Sequence, residues 1–268
     1  MVTSIPKIKL YDTHAHFDGS PLETLTIMER ALAAGVGRLV AVGGSTSLNV
    51  GAIAVADAFP ERVRLALGFD RDQTTDASPE VYIETLRSLA AVNTLAAVGE
   101  TGLDFHYHPG TAEAQRALFR AQLLLADEWR LPVIIHTREA EEATLQVLDE
   151  TPWCGEGLRG VVHCFTGDKT FAEQLIERSL AISFSGIVTF RNADMLRESA
   201  AFVPDERLLI ETDSPFLAPV PKRSLRNEPA FVVHVAECLA EVRGSTVEHI
   251  AAVTYENAVR LFGRGTVW

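Results

Sequence analysis

The feature that most narrows the fold is an eightfold alternation of short Val-, Leu- and Ile-rich runs with longer amphipathic stretches. The runs Lys9 to Tyr11, Arg38 to Val42, Val63 to Leu67 and Leu95 to Val98 read as strands. Each is followed by a predicted helix, respectively Leu22 to Ala34, Leu48 to Phe59, Glu80 to Ala91 and Ala112 to Glu128. The second half repeats the pattern with strands at Val133 to Ile135, Gly160 to Val162, Leu180 to Phe184 and Leu208 to Ile210. Their helices are expected at Ala140 to Leu148, Thr170 to Arg178, Ala193 to Ala201 and Ala230 to Val242, with an extra C-terminal helix from Val247 to Phe262. Strands alternating with helices imply βαβ units and parallel pairing. Eight such units favour a (β/α)8 TIM barrel, an α/β fold, over an open doubly wound sheet. No linker or composition shift divides the 268 residues, so residues 1–268 are expected to form a single domain.

Composition excludes several classes. Apolar residues make up 47% and charged residues 22%, which is incompatible with a disordered chain. The formal net charge of −12 argues against a broad, non-specific nucleic-acid coat, although a local cleft holding cations would still admit nucleic acid. Cys154, Cys164 and Cys238 are too few and too scattered for a disulfide framework or a cysteine-rich zinc site, and they fit a reducing compartment. Met1 to Leu10 lacks the apolar core of a signal peptide, and the uncharged run Leu39 to Ala56 is broken by Gly43-Gly44-Ser45-Thr46-Ser47. A cytoplasmic protein with no membrane contact is expected, and no protein partner is deducible.

The ionisable residues then fall into place. His14 and His16 close the first strand, two apart and therefore on one face. Glu100 follows the fourth strand, His136 the fifth, His163 the sixth and Asp213 the eighth. In a barrel those C-terminal strand ends converge on one mouth, where active sites lie. A lone strand-end histidine is more often a core or surface residue, so the weight rests on six donors at five strand ends. Four imidazoles and two carboxylates exceed what one tetrahedral ion needs and suit two divalent ions, with Glu100 the bridge by position. His106 and His108 are expected at the rim, His234 and His249 on helices, and Glu211 in a salt bridge beside the ligands. Cys164 is expected to point away from the site into the core.

Other chemistries lack their residues. Gly35-Val36-Gly37 precedes a strand and lacks the third glycine of a dinucleotide fingerprint. There is no P-loop, no His-Glu-x-x-His and no Gly-x-Ser-x-Gly. Water activated by metal remains.

Five segments carry a resemblance: Asp12-Thr-His-Ala-His-Phe-Asp18, Gly99-Glu-Thr-Gly-Leu-Asp104, His136-Thr-Arg-Glu139, His163-Cys-Phe-Thr-Gly167 and Glu211-Thr-Asp-Ser-Pro215. With Ser183 to Asn192 and Arg226-Asn-Glu-Pro229, the chain resembles the TatD-type metal-dependent deoxyribonucleases of the amidohydrolase-like barrels from about Asp12 to Phe262. The resemblance implies two divalent cations and 3′-to-5′ exonuclease or related activity on DNA, at single-stranded or 3′ ends. It carries metal ligation onto His14, His16, Glu100, His136, His163 and Asp213. Many relatives have Gly-x-His-Pro after the third strand; here the segment is Gly68-Phe69-Asp70-Arg71-Asp72. Asp70 would repel phosphate there, and Arg71 could take over part of the contact.

On that basis the cations would activate a water for in-line attack on phosphorus. Asp213 would orient that water and accept its proton, and Asp104 would fix an imidazole or arginine. Arg138, Arg191 and Arg226 are candidate phosphate contacts, being placed in loops near the mouth. An imidazole-rich site suits Mn or Zn, while the family is described as Mg-dependent. The alternative is a metallohydrolase acting on a non-phosphate ester, lactone or amide.

Overall fold

The computed structural model describes residues 8–18, 20–75, 77–153 and 157–263. Cys154 and the N-terminal residues Met1 to Lys7 lie outside them. Among the described residues the strands are β1 (Leu10–Ala15), β2 (Val36–Gly44), β3 (Val63–Phe69), β4 (Ala97–Asp104), β5 (Val133–Arg138), β6 (Gly160–Val162), β7 (Leu180–Phe184) and β8 (Leu208–Ile210). The helices are α1 (Pro21–Ala33), α2 (Thr46–Ala58), α3 (Pro79–Ala90), α4 (Ala112–Trp129), α5 (Glu141–Glu150), α6 (Lys169–Glu177), α7 (Asp194–Phe202), α8 (Val232–Val242) and α9 (Val247–Phe262). All eight strands are parallel and run in sequence order β1 to β8, which is the predicted barrel. No helix among the described residues is long and apolar enough to cross a membrane.

Alternation sorts the strand side chains into two layers. Tyr11, Val40, Ala66, Ala97, Ile134, Val161, Ala181 and Leu209, one from every strand, form one buried cluster. Their sequence neighbours, such as Leu39, Leu67, Ile135 and Ile182, pack in the larger cluster with the helices. Ala258, Leu261 and Phe262 of α9 join the first cluster, and the Phe262 ring lies 6.4 Å from that of Tyr11. The extra helix therefore plugs the barrel beside the start of β1, leaving the other end as the mouth.

Two irregularities re-aim key side chains. Following the alternation from Ile134, Val161 and Leu209 leads to His136, His163, Glu211 and Asp213. From Tyr11 and Ala97 it leads to Thr13 and Gly99, one residue short of His14 and Glu100. The β1–β2 register slips between Asp12 and Ala15, and the β4–β5 register between Val98 and Thr101. Such bulges turn side chains to the other face. Glycine permits the close approaches nearby. A Cβ on Gly68 would lie 2.6 Å from the Gly99 carbonyl carbon, and one on Gly102, whose φ is +139°, would lie 2.0 Å from the His136 oxygen.

The seam between β8 and β1 is joined by side chains as well as backbone. Asp213 N–H donates to the His14 carbonyl (2.9 Å) and His16 N–H to that of Ser214 (2.8 Å). Lower down, Asp12 accepts from Thr212 N–H (2.9 Å) and the Thr212 hydroxyl (2.6 Å). Between β3 and β4 the ladder covers only Ala66–Ala97 and Leu67–Val98. Beyond it, side-chain amides take over. Asn49 of α2 bonds both backbone groups of Gly68 (3.0 and 3.3 Å). Gln122 of α4 bonds both of Phe69 (2.9 and 2.7 Å) and the Thr101 hydroxyl (2.7 Å). Gln115, two turns earlier, bonds both backbone groups of Asp104 (2.7 and 3.1 Å). Burying these groups unpaired would be costly, so the glutamines hold the mouth-side ends of β3 and β4 in place.

Candidate metal centre

The six donors picked from strand ends meet at the mouth. His14, Glu100, His163 and Asp213 are buried, at 0%, 3%, 4% and 8% exposure. Glu100 and His136 lie inside β4 and β5, because these strands run farther than expected from the sequence.

Glu100 stands between two pairs of imidazoles. Its Oε2 lies 3.5 Å from Nε2 of both His14 and His16. Its Oε1 lies 3.3 Å from His136 Nδ1 and 3.4 Å from His163 Nε2. Asp213 completes the first group, with Oδ1 at 3.9 and 3.7 Å from the His14 and His16 nitrogens. Within each group the nitrogens face one another, at 3.1 Å for His14–His16 and 3.3 Å for His136–His163.

Three of the four imidazoles are oriented by the nitrogen they do not present. His16 Nδ1 donates to the Val42 carbonyl (2.9 Å), which leaves Nε2 as a lone pair. His136 Nε2 lies 3.1 Å from Asp104 Oδ2, and His163 Nδ1 lies 3.3 Å from Glu211 Oε1. Carboxylates accept only, so with a proton on that side the other nitrogen can offer its lone pair to a cation. His14 Nδ1 has no hydrogen-bond partner among the described residues, and the His14 ring stacks on His163 at 3.8 Å. Converging imidazole lone pairs around shared carboxylate oxygens form a donor set that fits divalent cations.

The electrostatics agree. Burial raises the Asp213 carboxyl to about 6, although His163 and His16 pull it down. Burial works against a charge on His163, but Glu100 and Glu211 outweigh it and push its pKa up to about 10. Burial also opposes ionisation of Glu100; His163 and Arg71 overcome it and hold the carboxyl well below its usual range. His14 is held well below its usual value by burial and then by His163, and His136 is lowered by burial despite Asp104. For Asp104 the His136 hydrogen bond overcomes burial and lowers its pKa to about 2. The pocket thus pulls protons onto His163 while keeping Glu100 charged, as expected of a site built for cations.

The rim differs from expectation in places. Cys164 does not turn away into the core. β6 ends at Val162, Cys164 takes a φ of 43°, and its Sγ lies 3.2 Å from the Ser185 hydroxyl. Its N–H donates to Glu211 (2.7 Å). Arg138 closes β5 with its guanidinium 4.7 Å from the exposed Tyr107 ring. Arg191 is exposed after β7, and Arg226 is engaged by Glu23 and Asp18. His106 and His108 pair with Glu139 and Asp72, both at 2.6 Å. His234 and His249 pair with Glu237 and Asp205.

Sequence reasoning did not place Arg71 against Glu100. Its Nη1 donates to Glu100 Oε1 at 2.6 Å, and Asp70 Oδ2 lies 3.5 Å away. Asp70 caps the short turn that carries Arg71, accepting from Asp72 N–H (2.9 Å), and burial raises its pKa to about 7. A lone cation one residue past a strand-end carboxylate was the only available signal.

Residues 11–263 match the family described as TatD related DNase. The chain belongs to that family. The Escherichia coli protein YcfH, named an uncharacterized metal-dependent hydrolase, is 42% identical over 258 residues, covering 94% of this chain and 95% of its own. A 3′-5′ ssDNA/RNA exonuclease TatD from Rahnella is 36% identical over 256 residues, covering 93% and 95%. The crystal structure of YJJV, a TatD homolog from Escherichia coli, superposes with a TM-score of 0.86 at 30% identity, over 95% and 98% of the chains. This TatD-family chain is a metal-dependent hydrolase of ester bonds.

Proposed function

We propose that this chain acts as a single cytoplasmic hydrolase domain that removes nucleotides from the 3′ ends of single-stranded DNA, with two divalent cations at the mouth. The observation that carries the two-ion reading is Glu100, whose two oxygens each face a separate pair of imidazoles. His14, His16 and Asp213 would hold one ion and His136 and His163 the other. Oxygen from Glu100 and Asp213 suits Mg or Mn, and the four imidazoles would also take Zn. When bound, such ions supply Lewis acidity, lowering the pKa of a water and offsetting phosphoryl charge.

The chain's own groups do the rest. Asp213, with a pKa near 6, is a carboxylate at neutral pH and accepts a proton from the attacking water. Arg138 and Arg191 would meet phosphate, whereas Arg226 is engaged by Asp18 and Glu23. Phe216, 58% exposed with its ring 6.3 Å from His16, and Tyr107, 62% exposed beneath Arg138, offer faces on which bases stack. Backbone and stacking contacts predict slight sequence preference.

The test replaces Glu100 with Ala and Asp213 with Asn in purified protein. Glu100→Ala should lower bound metal and reduce 3′ digestion of a single-stranded oligonucleotide by about 10³-fold or more. Asp213→Asn should cost about 10²–10⁴-fold in turnover. Digestion unchanged by either would sink the reading. Metal retained with no digestion by the unmodified protein would shift it to a non-phosphate ester or lactone.

A further inference from the structure

The two oxygens of Glu100 have unequal company. Oε2 meets two imidazoles, and the second carboxylate, Asp213, lies beside them with no lysine or arginine paired to it among the described residues. Oε1 meets two imidazoles and, closer than either, the Arg71 guanidinium at 2.6 Å. Among the described residues no second carboxylate pairs with the His136–His163 nitrogens that face Glu100; Asp104 and Glu211 engage the far ring nitrogens. Arg71 is largely buried and rests on a capped turn, so its charge is fixed there.

We propose that Arg71 is a resident cation that makes occupancy of the two halves unequal and ordered. An ion enters first among His14, His16, Asp213 and Glu100 Oε2. The ion between His136 and His163 binds more weakly, because it must share or displace the guanidinium on Oε1. A displaced guanidinium has Asp70, 3.5 Å away, as its next partner. The residues that depart from Gly-x-His-Pro thus act on the second ion, and Asp70 holds Arg71 when that ion is bound. This rests on the two-ion reading.

Metal-free full-length protein is titrated with Mn²⁺, with free ion followed by electron paramagnetic resonance, for the unmodified chain, Arg71→Gln and Arg71→Lys. Two steps at least tenfold apart are expected in the unmodified protein. Arg71→Gln should strengthen the second step about tenfold and leave the first within about twofold, which also shows that the variant is folded. Arg71→Lys keeps the charge and should keep the second step weak. Two ions in every protein with an unchanged second step in Arg71→Gln would overturn the role of Arg71 and leave the two-ion reading standing. The same holds if Lys strengthens it as much as Gln. One ion at saturation in all three would overturn both. The titration uses no nucleic acid, so its outcome does not depend on which substrate the site takes.

Discussion

The mouth has two sides built by different means. On the β8–β1 side, backbone bonds and the Asp12 side chain carry His14, His16 and Asp213. On the β3–β4 side, where the ladder ends early, helix-borne amides of Asn49, Gln115 and Gln122 carry Glu100 and Asp104. The electrostatics divide along the same line. On the first side burial raises Asp12 to about 8 and Asp213 to about 6, although His163 and His16 pull Asp213 down. The second already contains Arg71, and Asp104 and Glu100 are held low. The second side has a guanidinium against its carboxylate, whereas the carboxylate of the first faces imidazoles.

The largest effect should come from cutting the support on the first side. Asp12→Ala strips the acceptor from Thr212 N–H, the Thr212 hydroxyl and His14 N–H (3.3 Å) at a fully buried point of the seam. Orphaning these donors should cost about 3 kcal/mol. Gln122→Ala leaves Phe69 and Thr101 unsatisfied but keeps the β4–β5 ladder, and should cost about 2 kcal/mol. Urea unfolding of the metal-free variants measures both. Gln122→Ala costing more than Asp12→Ala would reverse the assigned roles of the two sides.

How much of this was legible follows from range. The eight strands and the helices show in local alternation, and the six donors in their position at strand ends. The polar stretch Gly99 to Asp104 was not legible as strand, because Gly, Glu and Asp are poor strand formers and only the ladder to β5 extends it. Nor could alternation reveal that His14 and Glu100 need register slips to reach the mouth. Gln115 and Gln122 look like solvated helix residues until the opened β3–β4 edge is known. Strand parity misplaces Cys164 because it does not extend past the end of β6 into a left-handed residue. Arg71 meets Glu100 across 29 residues of chain, a contact that no local pattern encodes.

A smaller effect concerns pH. Above about pH 6.5, His14 and His136 are neutral in both folded and unfolded states. Asp12 keeps a proton to about 8 and His163 to about 10, whereas their unfolded values are about 3.9 and 6.5. The folded protein therefore binds more protons in this window, and metal-free stability should fall as pH rises through it. Between pH 7 and 9 the melting temperature should drop by on the order of 5 °C. Saturating Mn²⁺ would replace the His163 proton, though not that of Asp12, and should reduce the slope. Calorimetry of chelated and loaded protein checks this, and a metal-free melting temperature that climbs over this range would refute it.

The smallest effect isolates the second side. Asp104 Oδ1 accepts from Tyr107 N–H (2.8 Å), while Oδ2 faces His136 Nε2. Asp104→Asn can keep the first bond but presents an N–H₂ in place of Oδ2. His136 Nε2 must then accept, which moves the ring proton to Nδ1, the nitrogen facing Glu100. That nitrogen loses the lone pair a cation needs. Loss of such an orienting carboxylate weakens metal binding by about 10–100-fold, and the tenfold end applies here because the tautomer can still revert. The loss should fall on the second Mn²⁺ step and spare the first, since His14, His16 and Asp213 touch neither Asp104 nor Tyr107. Nitrogen NMR of the His136 ring should show the proton moving from Nε2 to Nδ1 in the variant. Weakening of both steps together would mean that the sides are coupled through Glu100 and are not separately built.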